Sequence, residues 1–187
     1  MMKIFLSEEA LSLVKNNHIF VDTCVFLDLA SLRKGDRGEF ENKLLQFTKR
    51  GSIFVTVEPV AVEFYLGSSQ SDLKIKKSYI NQLIESTLPV RVLNKSKMDS
   101  LILEYGRNAR GNVSYADLCL GAAIKQFPNS LVLTRNHRDF PLKIFDSKAV
   151  FTVHLNIEAR TYCFYGYRGM IKKHKKKRET KKADIPF

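Results

Sequence analysis

The stretch Val113–Phe140, VSYADLCLGAAIKQFPNSLVLTRNHRDF, contains the order of elements that decides the fold. Its first part, Ser114–Phe127, has the composition of a helix, and Pro128–Asn129–Ser130 ends it. A short apolar run, Leu131–Leu133, then predicts a buried strand, which stops at Thr134 and gives way to a polar turn. A helix, a strand and a polar turn in this order indicate an α/β protein. Such folds place their chemistry in the loops at the carboxyl ends of the strands.

Polar side chains occupy both ends of this unit. Asp117 falls in the first turn of the helix, and Asn136 and Asp139 follow the strand, so that two acids and one amide can face a single crevice. A plainer interpretation also fits. Ser114 and Asp117 have the spacing of a capping box, and Asp139 has the place of an ordinary turn acid. The choice between the two depends on the sequence upstream.

Short apolar strands alternate with helices through the rest of the chain. Strands are predicted at His18–Val21, Ile53–Val57, Val90–Leu93 and Ala149–Leu155, and helices at Met1–Asn17, Cys24–Leu32, Glu39–Arg50, Glu58–Leu66, Asp72–Ser86 and Ser96–Arg107, with a loop between Gly35 and Gly38. This alternation predicts a three-layer α/β/α sandwich with a central, mainly parallel sheet. The strands are mostly continuous apolar runs, as expected for a sheet that is covered on both faces. Residues 1–167 are assigned to this one domain.

Composition restricts the class of protein. A chain of 187 residues with 44% hydrophobic residues can build a full core without structural metals or disulfides. The cysteines, Cys24, Cys119 and Cys163, are odd in number and far apart, which favours reduced thiols in a cytoplasmic protein and excludes a clustered zinc site. Because the N-terminus has neither a signal peptide nor a membrane span, we expect no membrane association.

The positive charge is concentrated near the C-terminus. The net charge is +12, and residues 168–187 contain nine Lys and Arg residues against two acids, which leaves +7 in that segment. A block of like charge this dense predicts a flexible, solvated tail, and it is also what a phosphate backbone attracts. The residues predicted to contact nucleic acid, which the resemblance described below implies is RNA, are Lys172, Lys173, Lys175, Lys176, Lys177 and Arg178 of the tail, with Arg135 and Arg138 of the strand-end turn.

Four acids share one placement in the predicted fold. Asp22 ends the first strand, and Glu63 lies in an apolar stretch of the helix that follows the second. Because parallel strands end at a common edge, we expect these two acids to converge with Asp117 and Asp139. Glu63 could reach water if its helix is exposed there, but its neighbours Val60, Phe64 and Leu66 are apolar. Because an unpaired buried carboxylate is costly, Glu63 is then expected to need a partner, and a metal ion would supply one. Mg²⁺ takes one or two carboxylates together with waters and phosphate oxygens. The plainer interpretation of Asp22 is a helix N-cap.

The stretches IFVDTCVFLDLA, VTVEPVAVEFYLG, SYADLCLGAA and LVLTRNHRDF resemble, in order, the four motifs of PIN-domain nucleases. The resemblance spans about residues 18–155 and is strongest to the VapC-type toxins of toxin–antitoxin pairs. It implies a PIN-like fold, an endoribonuclease that depends on Mg²⁺ or Mn²⁺, often a homodimer and, for a toxin, a small antitoxin partner. By motif, the catalytic and metal-site acids are Asp22, Glu63, Asp117 and Asp139, with Asn136 as a further ligand and Thr23, Ser114 and Thr134 in support.

The chain also departs from this pattern. Cys24 stands where the family often has Asn, Asn136 stands where an acid would bind a second metal more firmly, and the basic tail is longer than in most such toxins.

A non-catalytic RNA-binding protein, or an RNA-processing protein, of the same fold is the alternative function. A phosphatase of the haloacid dehalogenase type would need Asp at the position of Cys24. The glycine motifs of nucleotide-binding loops are absent from the sequence.

Overall fold

The computed structural model describes residues 3–108, 112–154 and 158–169. The tail residues predicted to contact RNA, Lys172–Arg178, lie outside these ranges. The strands are β1 (Lys3–Phe5), β2 (His18–Val21), β3 (Ile53–Val57), β4 (Ser86–Leu88), β5 (Ser130–Thr134), β6 (Phe145–His154) and β7 (Ala159–Tyr167). The helices are α1 (Glu8–Leu13), α2 (Thr23–Ser31), α3 (Lys34–Thr48), α4 (Glu58–Tyr65), α5 (Gln70–Leu83), α6 (Lys95–Asn108) and α7 (Tyr115–Gln126), with 3-10 turns at Val90–Val92 and His137–Asp139.

The seven strands found in the described residues form one mixed sheet in the order β1-β6-β7-β5-β2-β3-β4. The four strands β5, β2, β3 and β4 run parallel, whereas β7, β6 and β1 extend the sheet by antiparallel pairing. The fold is therefore α/β, as predicted, and the parallel part of the sheet is its β4–β5 half. Because β2 lies between β3 and β5, the carboxyl ends of these three strands adjoin one another at the same edge.

Burial explains why these strands form where they do. Ile19, Phe20 and Val21 of β2 are all buried, and so is every residue of β5. An apolar run without alternation is what a parallel strand needs when side chains on both of its faces are covered. The antiparallel half contributes an aromatic cluster, in which the Phe47 ring of α3 packs 4.9 Å from that of Phe164 in β7.

The strand predicted at Val90–Leu93 is wrong. Val90–Val92 is a 3-10 turn, and the strand that precedes it is the short β4, whose Ser86 and Thr87 are exposed. Pro89 stands before the turn and cannot donate a ladder hydrogen bond, so it ends the strand there. β4 lies at the edge of the sheet and is largely exposed, so it does not need the apolar run that marks β2 and β5. Its sequence therefore does not indicate a strand.

Three further boundaries differ from the prediction. The helix expected over Met1–Asn17 is instead β1 followed by α1, because Ser7 caps a helix whose first residue is Glu8. Gly35 and Gly38 lie inside α3 rather than in a loop. There the Arg37 guanidinium donates to the carbonyl oxygens of Leu29 (2.9 Å) and Leu32 (2.8 Å), which ties the first turn of α3 to the end of α2. The sequence of Asn156–Tyr165 predicts no element, whereas Ala159–Tyr167 forms β7.

No helix within the described residues has the length and apolar character needed to cross a bilayer.

Candidate functional site at the carboxyl edge of the parallel strands

Four elements bring the predicted acids to the carboxyl edge of β2, β3 and β5. Asp22 directly follows β2, and Glu63 lies on α4, which begins immediately after β3. Asp117 is in the first turn of α7, and Asp139 is in the 3-10 turn after β5. The negative charges of Asp22, Asp139 and Glu63 each act on Asp117, so the four carboxyl groups share one electrostatic neighbourhood.

Asp22 is buried, with 5% of its surface exposed. It occupies the N-cap position of α2, as its plainer interpretation predicts, but its side chain makes no capping hydrogen bond there. Its Oδ2 instead accepts hydrogen bonds from the Thr134 hydroxyl (2.5 Å) and the Cys24 thiol (3.1 Å). Burial raises the pKa of Asp22, the two hydrogen bonds oppose that rise, and the charge of Glu63 adds to it.

Asp117 is also buried, with 4% of its surface exposed. The capping interaction predicted with Ser114 is present, because Ser114 Oγ accepts from the Asp117 backbone N–H at 3.0 Å and donates to Asp117 Oδ2 at 2.7 Å. Burial and then the charge of Asp22 raise the pKa of Asp117 to about 7, with smaller effects from Asp139 and Glu63, while the Ser114 hydrogen bond lowers it. Capping the helix and orienting a perturbed carboxylate are thus done by the same serine.

Glu63 is exposed, so the alternative of a helix open to water holds at this position, and burial by its apolar neighbours does not. Val60 and Phe64 of α4 are buried in the core, whereas Glu63 and its neighbour Val62 are exposed. The hydroxyl of the buried Thr23 donates a 2.5 Å hydrogen bond to Glu63 Oε2. Since Thr23 follows Asp22 in the chain, this contact fixes Glu63 beside the first acid.

Asp139 accepts hydrogen bonds from side chains in its own turn and on α6. Its Oδ2 accepts from Asn136 Nδ2 at 2.7 Å, and its backbone carbonyl accepts from the buried hydroxyl of Tyr105 at 2.7 Å. The Asn136 backbone N–H in turn donates to Thr134 Oγ1 at 2.8 Å. Thr134 therefore connects the turn that carries Asp139 to the carboxylate of Asp22.

The acids of this edge have few cationic partners. Within residues 3–108, 112–154 and 158–169, no Lys, Arg or His forms an ion pair with Asp22, Glu63 or Asp117. Asp139 has one partner, the exposed Arg138, whose Nε lies 3.2 Å from Asp139 Oδ1. In the same ranges, no three His, Cys, Asp or Glu side chains lie close enough together to hold a metal ion as they stand. The shared metal site of three carboxylates accordingly stays a prediction.

A buried acid next to this site was not predicted. Asp28 of α2 accepts from Arg135 Nε (2.9 Å) and Nη2 (3.1 Å), from Arg160 Nη1 (2.7 Å) and from the Tyr162 hydroxyl (2.7 Å). The Arg135 guanidinium therefore donates two hydrogen bonds to Asp28. The contact of Arg135 with RNA remains a prediction. The signal for Asp28 was the acid in the apolar run VFLDLA, whereas nothing in the sequence near Tyr105 indicates its contact with Asp139.

Comparison of the chain with protein-family models, with curated proteins and with solved structures gave no significant match.

Proposed function

We propose that this protein is an endoribonuclease of the PIN type that depends on Mg²⁺ or Mn²⁺. The observation that carries the proposal is the pair Asp22 and Asp117. Both carboxyl groups are buried at the edge where the parallel strands end, each has a raised pKa, and neither is paired with a cation in the described part of the chain. Perturbed carboxyl groups that structural ion pairs do not account for are a mark of functional sites.

The chemistry of the donor set fits a hard divalent cation. Carboxylate, amide and hydroxyl oxygens are available at this edge, and Mg²⁺ is commonly held by only one or two carboxylates with waters and phosphate oxygens completing its shell. Asp22 and Asp117 would hold the ion directly, and the charges of Glu63 and Asp139 act at the same place. Ser114, Thr23 and Thr134 orient these carboxylates through hydrogen bonds of 2.5–2.7 Å. Asn136 keeps Asp139 in place.

These residues can divide the work of cleaving a phosphodiester. When bound, the cation would offset the charge of the phosphate and of the leaving oxygen and would activate a water. Glu63 Oε2 accepts the hydrogen bond from Thr23, and the side chain is exposed. Its carboxylate can therefore also accept a hydrogen bond from a water that approaches the phosphate. Buried Thr134 prevents Asp22 from turning away from the edge, because it fixes Oδ2. The excess positive charge of the chain would bring RNA to an acidic site that repels it at close range.

A three-layer, PIN-like arrangement follows from the same proposal. Consecutive residues of a strand point to opposite faces, and in β7 Phe164 packs against Phe47 of α3 while Tyr165 stacks on Phe140, 5.7 Å away. A Cβ at Gly121 of α7 would lie 3.2 Å from Phe145 of β6. These contacts support helices on both faces of the sheet. The toxin interpretation, with a small antitoxin and a homodimer, rests on the sequence resemblance alone.

The decisive test is metal-dependent cleavage of a generic single-stranded RNA. We expect cleavage with Mn²⁺ or Mg²⁺, none with EDTA, and a loss of at least about 10²-fold in Asp22→Asn and in Asp117→Asn, since each variant removes a ligand and its charge. Asp99→Asn, the same change at an exposed position of α6, is the matched control and should cleave normally. Full activity in both site variants would show that the nuclease assignment is wrong.

The alternative is an RNA-binding protein of the same fold without catalysis. Two observations favour it: Asn136 in place of an acid, and the absence of a preformed three-carboxylate site in the described residues. Under this alternative, RNA binds with the same affinity in Mn²⁺ and in EDTA and stays intact in both. Measurement of binding and cleavage on the same sample separates the two functions.

A further inference from the structure

An open groove of about 440 Å³ lies directly beside the acidic edge. It runs between α4 and the start of α7, and its walls are almost entirely apolar. Pro59, Val62 and Leu66 of α4 form one wall, and Tyr115 of α7 forms the other. The groove is continuous with the candidate site, because Glu63 and Ser114 line both.

We propose that this groove binds one unpaired nucleobase of the RNA strand, next to the phosphate that is cut. The inference rests on the proposed nuclease function for the direction of the strand, since Glu63 and Ser114 would place the phosphate at one end of the groove. It adds what that function leaves open, namely which part of the substrate the enzyme recognises. A strand held at the acids by its backbone would have its next base in position to enter.

The exposure of the groove's apolar side chains supports an aromatic ligand. The exposed fractions are 51% for Val62, 69% for Leu66 and 59% for Tyr115, and all three side chains line the groove. Proteins that bind single-stranded RNA stack bases on aromatic side chains, and they do so without requiring base pairing. Tyr115 supplies the aromatic face, and the α4 wall can cover the other face of the base.

The charges of the groove select a base rather than a phosphate. Among the described residues, its ionisable lining groups apart from Tyr115 are the carboxylates of Glu58 and Glu63, so the groove itself offers no positive charge to a phosphate. Glu58 Oε2 accepts a weak hydrogen bond from the Val90 N–H at 3.3 Å. Glu58 and Tyr115 line the same groove, so the carboxylate is available to a base that stacks on the ring. A carboxylate there accepts from exocyclic amino groups, so adenine, cytosine or guanine is expected in preference to uracil.

The test measures binding rather than cleavage. A short single-stranded RNA with a fluorescent label is titrated in EDTA at low salt with the wild type, Tyr115→Ala and Tyr115→Phe. Loss of one stacked base should weaken binding about tenfold in Tyr115→Ala, whereas Tyr115→Phe keeps the ring and should stay within about twofold of the wild type. Leu103→Ala, at an equally exposed apolar position of α6 outside the groove, is the control and should bind as the wild type does.

A set of RNAs that each lack one base identifies the occupant. Walking a single abasic nucleotide along the strand should reveal one position at which the wild type loses about tenfold in affinity, and at that position Tyr115→Ala should lose nothing more. Glu58→Gln should reduce the preference for an amino-bearing base over uracil at the same position. A uniform response to every abasic position, with Tyr115→Ala equal to the wild type, would overturn the proposal.

The outcomes also separate this inference from the proposed function. If RNA is never cleaved but the Tyr115 and abasic effects coincide, the base site stands and the nuclease assignment fails. If cleavage is normal and Tyr115→Ala changes nothing, the base site fails and the nuclease stands. The rival occupant of an apolar groove is a second copy of this chain. If the wild type is a dimer, and Leu66→Asp makes it a monomer without changing its RNA affinity, then the groove is a dimer interface. That result would overturn the base site.

Discussion

The hydroxyl of Thr134, at the end of β5, donates a 2.5 Å hydrogen bond to Asp22 Oδ2, at the end of β2. The two residues are 112 positions apart in the chain, and both are buried. The same hydroxyl oxygen accepts from the backbone N–H of Asn136, which carries the contact on to the turn of Asp139. One threonine thus fixes the relative position of two of the four predicted acids.

Thr134→Val should weaken metal binding without removing a ligand. The variant keeps the shape of the side chain but frees Asp22 Oδ2 from its shortest hydrogen bond and leaves the Asn136 N–H without an acceptor. Removal of a group that orients a metal ligand typically costs about 10–100-fold in affinity or activity. We expect a rise of that size in the Mn²⁺ concentration at half-maximal cleavage, with Thr134→Ser close to the wild type.

Thr56→Val is the matched control for this change. Thr56 is equally buried, on the neighbouring β3, but its hydroxyl donates to the Val21 carbonyl oxygen at 2.8 Å instead of to a carboxylate. Thr134→Val loses two hydrogen bonds and Thr56→Val loses one, and each variant should lose about 1–3 kcal/mol of stability. If Thr56→Val raised the Mn²⁺ requirement as much as Thr134→Val, the effect would be one of general stability and the positioning role of Thr134 would be refuted.

Asn136→Asp should make the metal-free protein less stable and its response to metal stronger. Asn136 Nδ2 donates to Asp139 Oδ2 at 2.7 Å, so the variant replaces a donor with a second carboxylate at hydrogen-bonding distance. A lost buried hydrogen bond and the new repulsion should together cost about 1–3 kcal/mol in EDTA. Melting temperatures in EDTA and in Mn²⁺ measure both effects, and an increment from Mn²⁺ no larger than that of the wild type would contradict the prediction.

The same pair of residues allows a comparison by truncation. Asn136→Ala should reduce cleavage less than Asp139→Ala, because an amide brings no negative charge to the site. The reverse order would mean that Asn136, rather than Asp139, supplies the important group of the turn.

Asp117 should make the metal-free protein less stable as the pH rises. Its pKa in the folded protein is about 7, against 3.8 as the ordinary value, so the folded state binds the proton more tightly than the unfolded state does. Its contribution is therefore fully favourable below about pH 4 and is lost as the pH rises through 7, which amounts to roughly 2–4 kcal/mol. Urea unfolding in EDTA at pH 5 and pH 8 should show a larger fall in the wild type than in Asp117→Asn.

Metal should reverse this pH dependence, because a cation binds only the deprotonated carboxylate. In saturating Mg²⁺, the wild type should gain stability between pH 5 and pH 8, while Asp117→Asn should gain little. A wild type and a variant with parallel pH profiles in EDTA would show that Asp117 is not the group with the raised pKa.

The strands that position the site were predictable because of how they are buried. HIFV, IFVTV and SLVLT are apolar on both faces, each stops at or beside a polar residue, and parallel pairing then carries those residues to one edge. The strands of the antiparallel half were harder to predict from the sequence. β1 pairs with β6 about 150 residues later, as in Ile4 with Val153, and β7 was left unassigned. Such pairing partners are distant in the chain and leave no local pattern.

The burial of individual acids could not be predicted from their neighbours. Glu63 and Asp28 both stand within apolar runs of a helix, and that pattern suggested a buried carboxylate at Glu63. In the structure, Glu63 is exposed, and Asp28 is the one that is buried, with two arginines and a tyrosine around it. Which side of a short helix faces the sheet depends on how the helix docks, and a helix with apolar residues on most sides does not encode it.

The C-terminal segment gives the last prediction. Residues 171–187 contain eight of the 31 Lys and Arg residues of the chain and only two acids. Deleting them should weaken binding of unrelated RNAs to a similar extent and should flatten the salt dependence, since each phosphate contact on a single strand contributes about −0.7 to the log–log slope. Cleavage at saturating RNA and the melting temperature should stay near those of the full chain, because the predicted acids all precede the deletion.

Two replacements of the same length sharpen this test. If RNA binding depends on the charge of the segment and not on the order of its residues, a scrambled segment with the same composition should restore the salt slope. A Gly/Ser segment should not restore it. The rival is a segment that docks on its own domain or on a second copy. Then the truncation and the scrambled variant would both lower the melting temperature or the oligomeric state, and the slope would stay as in the full chain. An unchanged slope in the truncated protein would by itself refute a role for these residues in holding RNA, since loss of phosphate contacts cannot leave the release of counterions unaltered.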